Sequence, residues 1–321
     1  MPGGESNYVH FGYENTFKTA ATTITKVFGE NVTIRNVDLK NNLKRLSRLS
    51  TRNTVEVVAN KFEGALSLEF DLSDPWFMKG VLGAVQTSAA TGTSSWIHTF
   101  TEANVPPSLT INNGISGIVR QYLGCIIGDC KISTAVGDEP AKVSLTVMYA
   151  DEVITSSAIT SQTAPIDGVY PFSYGSFEYP TGTSIADTES VELTIANTAA
   201  MKWGLGSRKA SRYDMRNRVY DVTTTNFFDD PATYLRKAYA NGTSSTPNTL
   251  MISGESGCTI TLDNGQSNSA ARKWSFVFTR ATIERHSLGT QAVEDEQMET
   301  IDIIPQSLII QCTNMTSGMV S

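Results

Sequence analysis

The sequence predicts a mainly β protein: two tandem β-sandwich or barrel domains, 1–160 and 165–321, each with one short packed α-helix and a long hairpin or loop arm. Three observations predict it. Stretches that alternate apolar residues with Thr, Ser or charge recur along the whole chain. Helical signals are confined to two short stretches, each opening on Asp-Pro. One block of sequence also occurs twice: the steps Asp74-Pro75 and Asp230-Pro231 lie 230 − 74 = 156 residues apart, close to half of the 321-residue chain. A long-period repeat of this kind marks a duplicated unit.

The elements follow in order. The first copy of the block runs TIRNVDLKNN (33–42), LKRLSRLSTRN (43–53), KFEGALSLEFDL (61–72) and DPWFMKGVLGA (74–84). Its Asp-Pro puts proline at the first helical position behind an Asp cap. Phe77 and Val81 then stand at i, i+4 and bury one helix face on a sheet. Strands are expected at SLTIN (108–112) and KVSLTVMY (142–149), with turns at NNG (112–114) and VGDEP (136–140). The Ser/Thr-rich stretch 151–170 reads as the linker between halves.

The second copy runs LTIANTAA (193–200), KWGLGSRKASRYDMRNR (202–218), VYDVTTTNFF (219–228) and DPATYLRKAY (230–239). Here Leu235 and Tyr239 form the i, i+4 pair. Strands CTITLDN (258–264), KWSFVFTRATIE (273–284) and IDIIPQSLIIQC (301–312) complete the half.

Composition bounds the function. The chain is 40% hydrophobic and 18% charged, which is neither a disordered nor a membrane composition. No apolar run approaches the roughly 18 residues of a membrane span. The opening MPGGESNYVHFGYENTF has no basic or apolar segment of a secretory signal, so synthesis and residence in a reducing, cytoplasm-like compartment are expected. Cys125, Cys130, Cys258 and Cys312 then read as buried thiols, with a disulfide or metal site as the alternative. His10, His98 and His286 stand near no nucleophile motif, and no Walker, G-x-S-x-G or H-E-x-x-H motif occurs. GLGSRK (204–209) follows no strand-to-helix pattern of a phosphate loop. No catalytic, cofactor-binding or metal-binding residue is assigned, and an enzyme is not expected.

A net charge of −7 argues against general nucleic-acid binding. The charge is segregated. The arm around Leu43, Arg45, Leu46, Arg48 and Arg52 is basic, and so is the arm carrying Arg208, Arg212 and Arg216. The stretch with Glu294, Glu296 and Glu299 is acidic. One reading of the arms is a solvated loop face. The other makes them contacts between subunits or rings, with leucines buried at the centre, charges at the rim and the acidic run as their partner.

Several stretches resemble the tail tube proteins of tailed bacterial and archaeal viruses. They are YENTFKTAATTITKVFGENVTI (13–34), EGALSLEFDLSDPWFMKGVLGAV (63–85), TFTEANVPPSLTINNG (99–114) and YLGCIIGDCKISTAVGDEPAKVSLTVMYADEV (122–153). In the second half SVELTIANT, the DPATYLRKAY segment and KWSFVFTRATIE resemble the same fold. The resemblance implies a structural virion protein, assembled in the host cytoplasm and resident in the tail. Its rings would be stacked head to tail around a lumen that viral DNA crosses without specific binding. Two tube folds per chain imply homotrimeric, pseudo-hexameric rings. Partners would be further copies of itself and other tail proteins: terminator, baseplate and tape measure. The alternatives are a tail terminator or baseplate-hub ring of the same fold, and a carbohydrate- or receptor-binding β-sandwich, which would need clustered exposed aromatics.

Overall fold

The computed structural model describes residues 7–49, 53–90, 95–115, 118–155, 168–185, 187–228, 238, 246–247, 257–266, 272–289 and 297–314. Within them the chain is mainly β. Strands β1 (Tyr8–Tyr13), β2 (Glu30–Lys40), β3 (Leu43–Ser47), β4 (Thr54–Ala59) and β5 (Glu63–Asp71) precede the helix α1 (Met78–Leu82). Then come β6 (Gly83–Ala89), β7 (Trp96–Glu102), β8 (Leu109–Ile115), β9 (Ile118–Ala135), β10 (Lys142–Tyr149) and β11 (Asp151–Thr155). The second half holds β12 (Ser176–Glu178), β13 (Ser184–Ile185), β14 (Thr188–Ala196), β15 (Ala199–Lys202), β16 (Arg212–Met215), β17 (Val219–Phe227), β18 (Cys258–Asp263), β19 (Lys273–Leu288) and β20 (Met298–Asn314).

Alternation decides the sheet. In β5 every second residue of EGALSLEFD is buried, placing Leu66, Leu68 and Phe70 on the core face and Ser67 and Glu69 on the other. Antiparallel pairing carries this across strands. One row of directly opposite residues runs Phe70, Val143, Ile132, Leu193, Val222 and Ile303, all buried. On the reverse face the neighbouring row runs Glu69, Ser144, Lys131, Thr194 and Asp221. Along these rows the sheet is therefore apolar on one side and polar on the other, whereas β8 and the middle of β9 are buried on both faces.

Sixteen strands form this one sheet, ordered β13-β12-β18-β19-β20-β17-β14-β9-β10-β5-β2 along its main path, with β1, β6, β7, β8 and β11 attached as branches. The halves meet at two antiparallel junctions, β9 with β14 and β20 with β7. A single hydrophobic cluster draws on both halves. Two hairpins, β3-β4 and β15-β16, stand off the sheet as separate arms.

The repeat seen in the sequence recurs as strand pairing at the same offset of 156. Val37 pairs with Leu66 in the first half, and Leu193 with Val222 in the second. Likewise Val147 pairs with Leu66, and Ile303 with Val222. The bulge between β9 and β10 falls at Thr146/Val147, and the matching one between β19 and β20 at Ile283/Arg285. The arms obey the rule too, with Leu43 opposite Ala59 and Ala199 opposite Met215.

Some expectations are corrected. Residues 151–155 are strand β11 and not linker, because Asp151–Thr155 still has β9 residues 119–123 beside it to pair with. Asp74 does not cap a helix that begins at Pro75. The N-cap is Phe77 with no side-chain cap, and a turn closed by the Met78 amide on the Pro75 carbonyl (3.0 Å) comes first. The helix does end at Leu82-Gly83, where Gly83 takes φ 108, a conformation open to glycine. Phe77 and Val81 are buried as expected, and so are Trp76 and Leu82. Phe77 lies edge-on to Phe70 and stacks on Trp274, so the first half's helix packs against the second half's sheet. The second expected helix, with Asp230-Pro231, Tyr234, Leu235 and Tyr239, lies outside the described residues; Ala238 is helical.

β20 runs unbroken through Pro305. It pairs with β17 up to Ile303 and with β7 from Ile310, so Pro305 sits where the strand changes neighbours. A missing amide costs no ladder bond on that side there.

Candidate assembly interface

The first arm leaves β2 through Asn42, which holds a left-handed backbone (φ 46), a region that Asn enters more readily than most residues. The Asn42 amide donates to the Lys61 carbonyl (3.1 Å) and to Glu63 Oε2 (2.8 Å), clamping the arm's base. Hydrogen bonds from Asn42 and then Lys61 hold the Glu63 carboxyl below the usual range. Beyond the clamp, Leu43, Arg45, Leu46 and Arg48 are all exposed, and so are Leu49, Val55, Val57 and Val58. Arg52 lies outside the described residues. A lone two-stranded hairpin is marginal in water, and this one also leaves its leucines and valines uncovered.

The second arm has the same register but a different fate. Its Arg208 Nε donates to the Asn60 carbonyl (2.9 Å) and its Nη2 to Asn41 Oδ1 (2.7 Å), both at the base of the first arm. The Phe62 amide donates to the Arg208 carbonyl (2.8 Å), and Lys61 lies over the Trp203 ring. Lys209 pairs with Asp151 at 2.6 Å, and Tyr213 donates to the Pro106 carbonyl (2.8 Å). Arg212 and Lys202 share Asp214, at 3.7 and 3.5 Å. Arg216 is exposed. The second arm is thus docked onto the first half of its own chain, and Arg208 meets backbone and amide oxygens instead of carboxylates.

The acidic run divides. Glu294 and Glu296 lie outside the described residues. Glu299 is buried and sits 2.8 Å from His286 Nε2, while Asp302 accepts from Arg285 Nε (2.5 Å) and Thr223 (2.9 Å). Glu299 therefore does not face outward to meet an arm, because β19 and β20 pair its carboxylate inside the sheet.

Two buried polar hubs escaped the sequence reading. Asn197 donates to the Val81 carbonyl (3.0 Å) and the Ile127 carbonyl (3.3 Å), and its Oδ1 accepts from Arg218 Nε (2.7 Å). It ties α1, β9 and the start of β17 together at the junction of the halves. Glu14 accepts from Ser108 (2.7 Å), Thr110 (3.0 Å) and the Gly124 amide (2.8 Å), fixing β8 against β9. The one available signal was a polar residue at the end of an apolar run, as in LTIAN and FGYEN.

Four cations on the sheet's polar face have an acid beside them. Arg35 pairs with Glu69 (2.6 Å), Lys40 with Asp38 (3.0 Å), Lys131 with Glu192 (2.7 Å) and Arg285 with Asp302 (2.5 Å). Among the described residues no group of His, Cys, Asp or Glu could hold a metal ion. No described helix is long and apolar enough to cross a membrane. Burial holds the thiols of Cys125 and Cys130 well above their usual pKa and pushes that of Cys258 up to about 12. Trp76 and Trp274 are buried and Trp203 is covered by Lys61, so these rings offer no sugar-stacking platform.

Among the described residues the chain is thus a β-sheet protein with open strand edges, one exposed apolar arm and ion pairs along its polar face. A family model described as phage tail tube protein matches residues 4–297, and the chain belongs to that family. No curated protein matches it. The protein is a structural component of the virion tail, of a family that assembles with itself and other tail proteins into a tube.

Proposed function

We propose that this chain is the major tail tube subunit and that it carries two tube units, 1–160 and 165–321. Three copies close a pseudo-hexameric ring, and rings stack head to tail around a lumen for viral DNA. The observation that carries this is the repeated register, Val37 with Leu66 and Leu193 with Val222. It supports one structural unit used twice, so that half the number of chains suffices. Head-to-tail contacts between unlike surfaces grow open filaments.

The sheet's polar face suits a lumen. Arg35, Lys40, Lys131 and Arg285 on it are each held by a carboxylate, which lessens their pull on phosphates, and a net negative chain repels passing DNA. The exposed apolar arm β3-β4 supports stacking, since a further copy would cover it. Tail terminator, baseplate and tape-measure proteins are the remaining partners. Electron microscopy of the purified protein tests the reading: long hollow tubes are expected. Single rings that never stack would favour a terminator or hub, and unassembled protein would contradict the tube.

A further inference from the structure

Of the two junctions between the halves, the pairing of β9 with β14 has an unmatched counterpart: among the described residues, the two strands equivalent to it each keep an open edge. Inside the chain, β14 lies against β9, with Leu193 opposite Ile132 and Thr194 opposite Lys131. The equivalents at offset 156 are β2, in place of β14, and the C-terminal part of β19, in place of β9. Among the described residues β2 pairs only with β5, and β18 covers β19 only from Lys273 to Phe278. Both edges are thus open where their counterparts are joined.

Burial records the same asymmetry. Ile195 is fully buried at the internal seam, whereas its equivalent Leu39 is 42% exposed. Ile132 is 4% exposed, and its equivalent Leu288 is 39% exposed. Apolar residues at an open strand edge are an aggregation hazard unless another strand covers them. Here the covering strand is already specified, because the chain builds that contact once.

We propose that β2 of one copy pairs antiparallel with residues 285–288 of β19 in the next copy, in the register of the internal seam. Val37 then faces Leu288, and Asp38 faces Ser287. The occupant of each edge is a second copy of this chain, and repeating the one contact around an axis closes the ring. The ladder's last step sets Lys40 opposite Arg285, each already held by its own acid, Asp38 and Asp302, so two bare cations do not meet. This deepens the proposed function and rests on it.

Engineered disulfides test the register. Directly opposite residues bring Cα atoms to about 4.5–5.5 Å, within disulfide reach. Two double variants, Val37→Cys with Leu288→Cys and Asp38→Cys with Ser287→Cys, should oxidise into chain-to-chain crosslinks that end at a closed ring. A slipped pair, Val37→Cys with Ser287→Cys, should not, because one step of register turns a side chain to the other face. The native cysteines are buried and give little background. The same samples are imaged. Tubes without crosslinks in either matched variant, or with equal crosslinking of the slipped pair, would overturn the seam and leave the tube standing. Absence of any assembly by the unmodified chain would overturn both.

Discussion

Asn42 and Thr198, 156 positions apart, both take a left-handed backbone, with φ 46 and φ 40, where a sheet strand turns into an arm. Threonine is an uncommon occupant of that region, since its branched side chain crowds the backbone. A turn kept at equivalent points of two different sequences argues that each arm must leave its sheet in one direction. The first arm projects uncovered, while the second lies on the base of the first through Arg208.

The exposed arm leads to an assembly prediction. Reversing Arg45, Arg48 and Arg52 to Glu should block tube growth and leave the monomer folded, because the described residues of that arm contribute nothing to the core. Raised salt should weaken association of the unmodified protein only in part, since leucines share the contact. Light scattering checks both, with circular dichroism to confirm folding. Tubes of normal length from the variant would remove these arginines from assembly.

The core makes a second prediction. Phe77 is fully buried between Phe70 and Trp274, residues of different halves. Phe77→Ala should cost about 3–5 kcal/mol in chemical denaturation, from lost transfer energy plus the cavity left behind. A change under about 1 kcal/mol would mean that the helix does not bind the halves together.

Asn197 makes a third. Replacing it with Leu takes a donor from the Val81 and Ile127 carbonyls and the acceptor from Arg218 Nε, while Arg218 Nη2 still reaches the Val81 carbonyl (3.4 Å). The expected loss is about 1–3 kcal/mol for each buried group left unsatisfied, against less than about 1 kcal/mol for a surface asparagine. Urea unfolding of Asn197→Leu beside Asn217→Leu, at an exposed position, gives the comparison.

Thiol chemistry gives a fourth. Burial raises the pKa of Cys125, Cys130 and Cys258, and the thiolate is the reactive form. These thiols should resist a maleimide at pH 8 in the native protein and react once it is unfolded. Rapid native labelling, read by mass spectrometry, would contradict the packing.

The strands were legible because period-two alternation is a local property: β10 begins and ends where KVSLTVMY does. The helix start was not, since Asp74-Pro75 is as good a turn as it is a cap, and tertiary packing of Phe77 decided between them. β11 was hidden by the Ser/Thr-rich stretch that follows it. The partner of Arg208 was beyond reach for another reason. Charge patterning points to carboxylates, whereas the Asn60 carbonyl and Asn41 that it meets depend on how the halves dock. Open edges such as β2 and the end of β19 are likewise invisible in the sequence, which shows what a face buries but not which strand lies alongside.

In the proposed ring one chain does the work of two units. The direct measurement is the number of chains and the rotational symmetry in a ring layer, read from an electron cryo-microscopy reconstruction of tubes grown from the pure protein. Three chains per layer are expected, with six near-equivalent sheets around the lumen. Six chains per layer, or a layer whose two halves do not alternate around the axis, would contradict that ring.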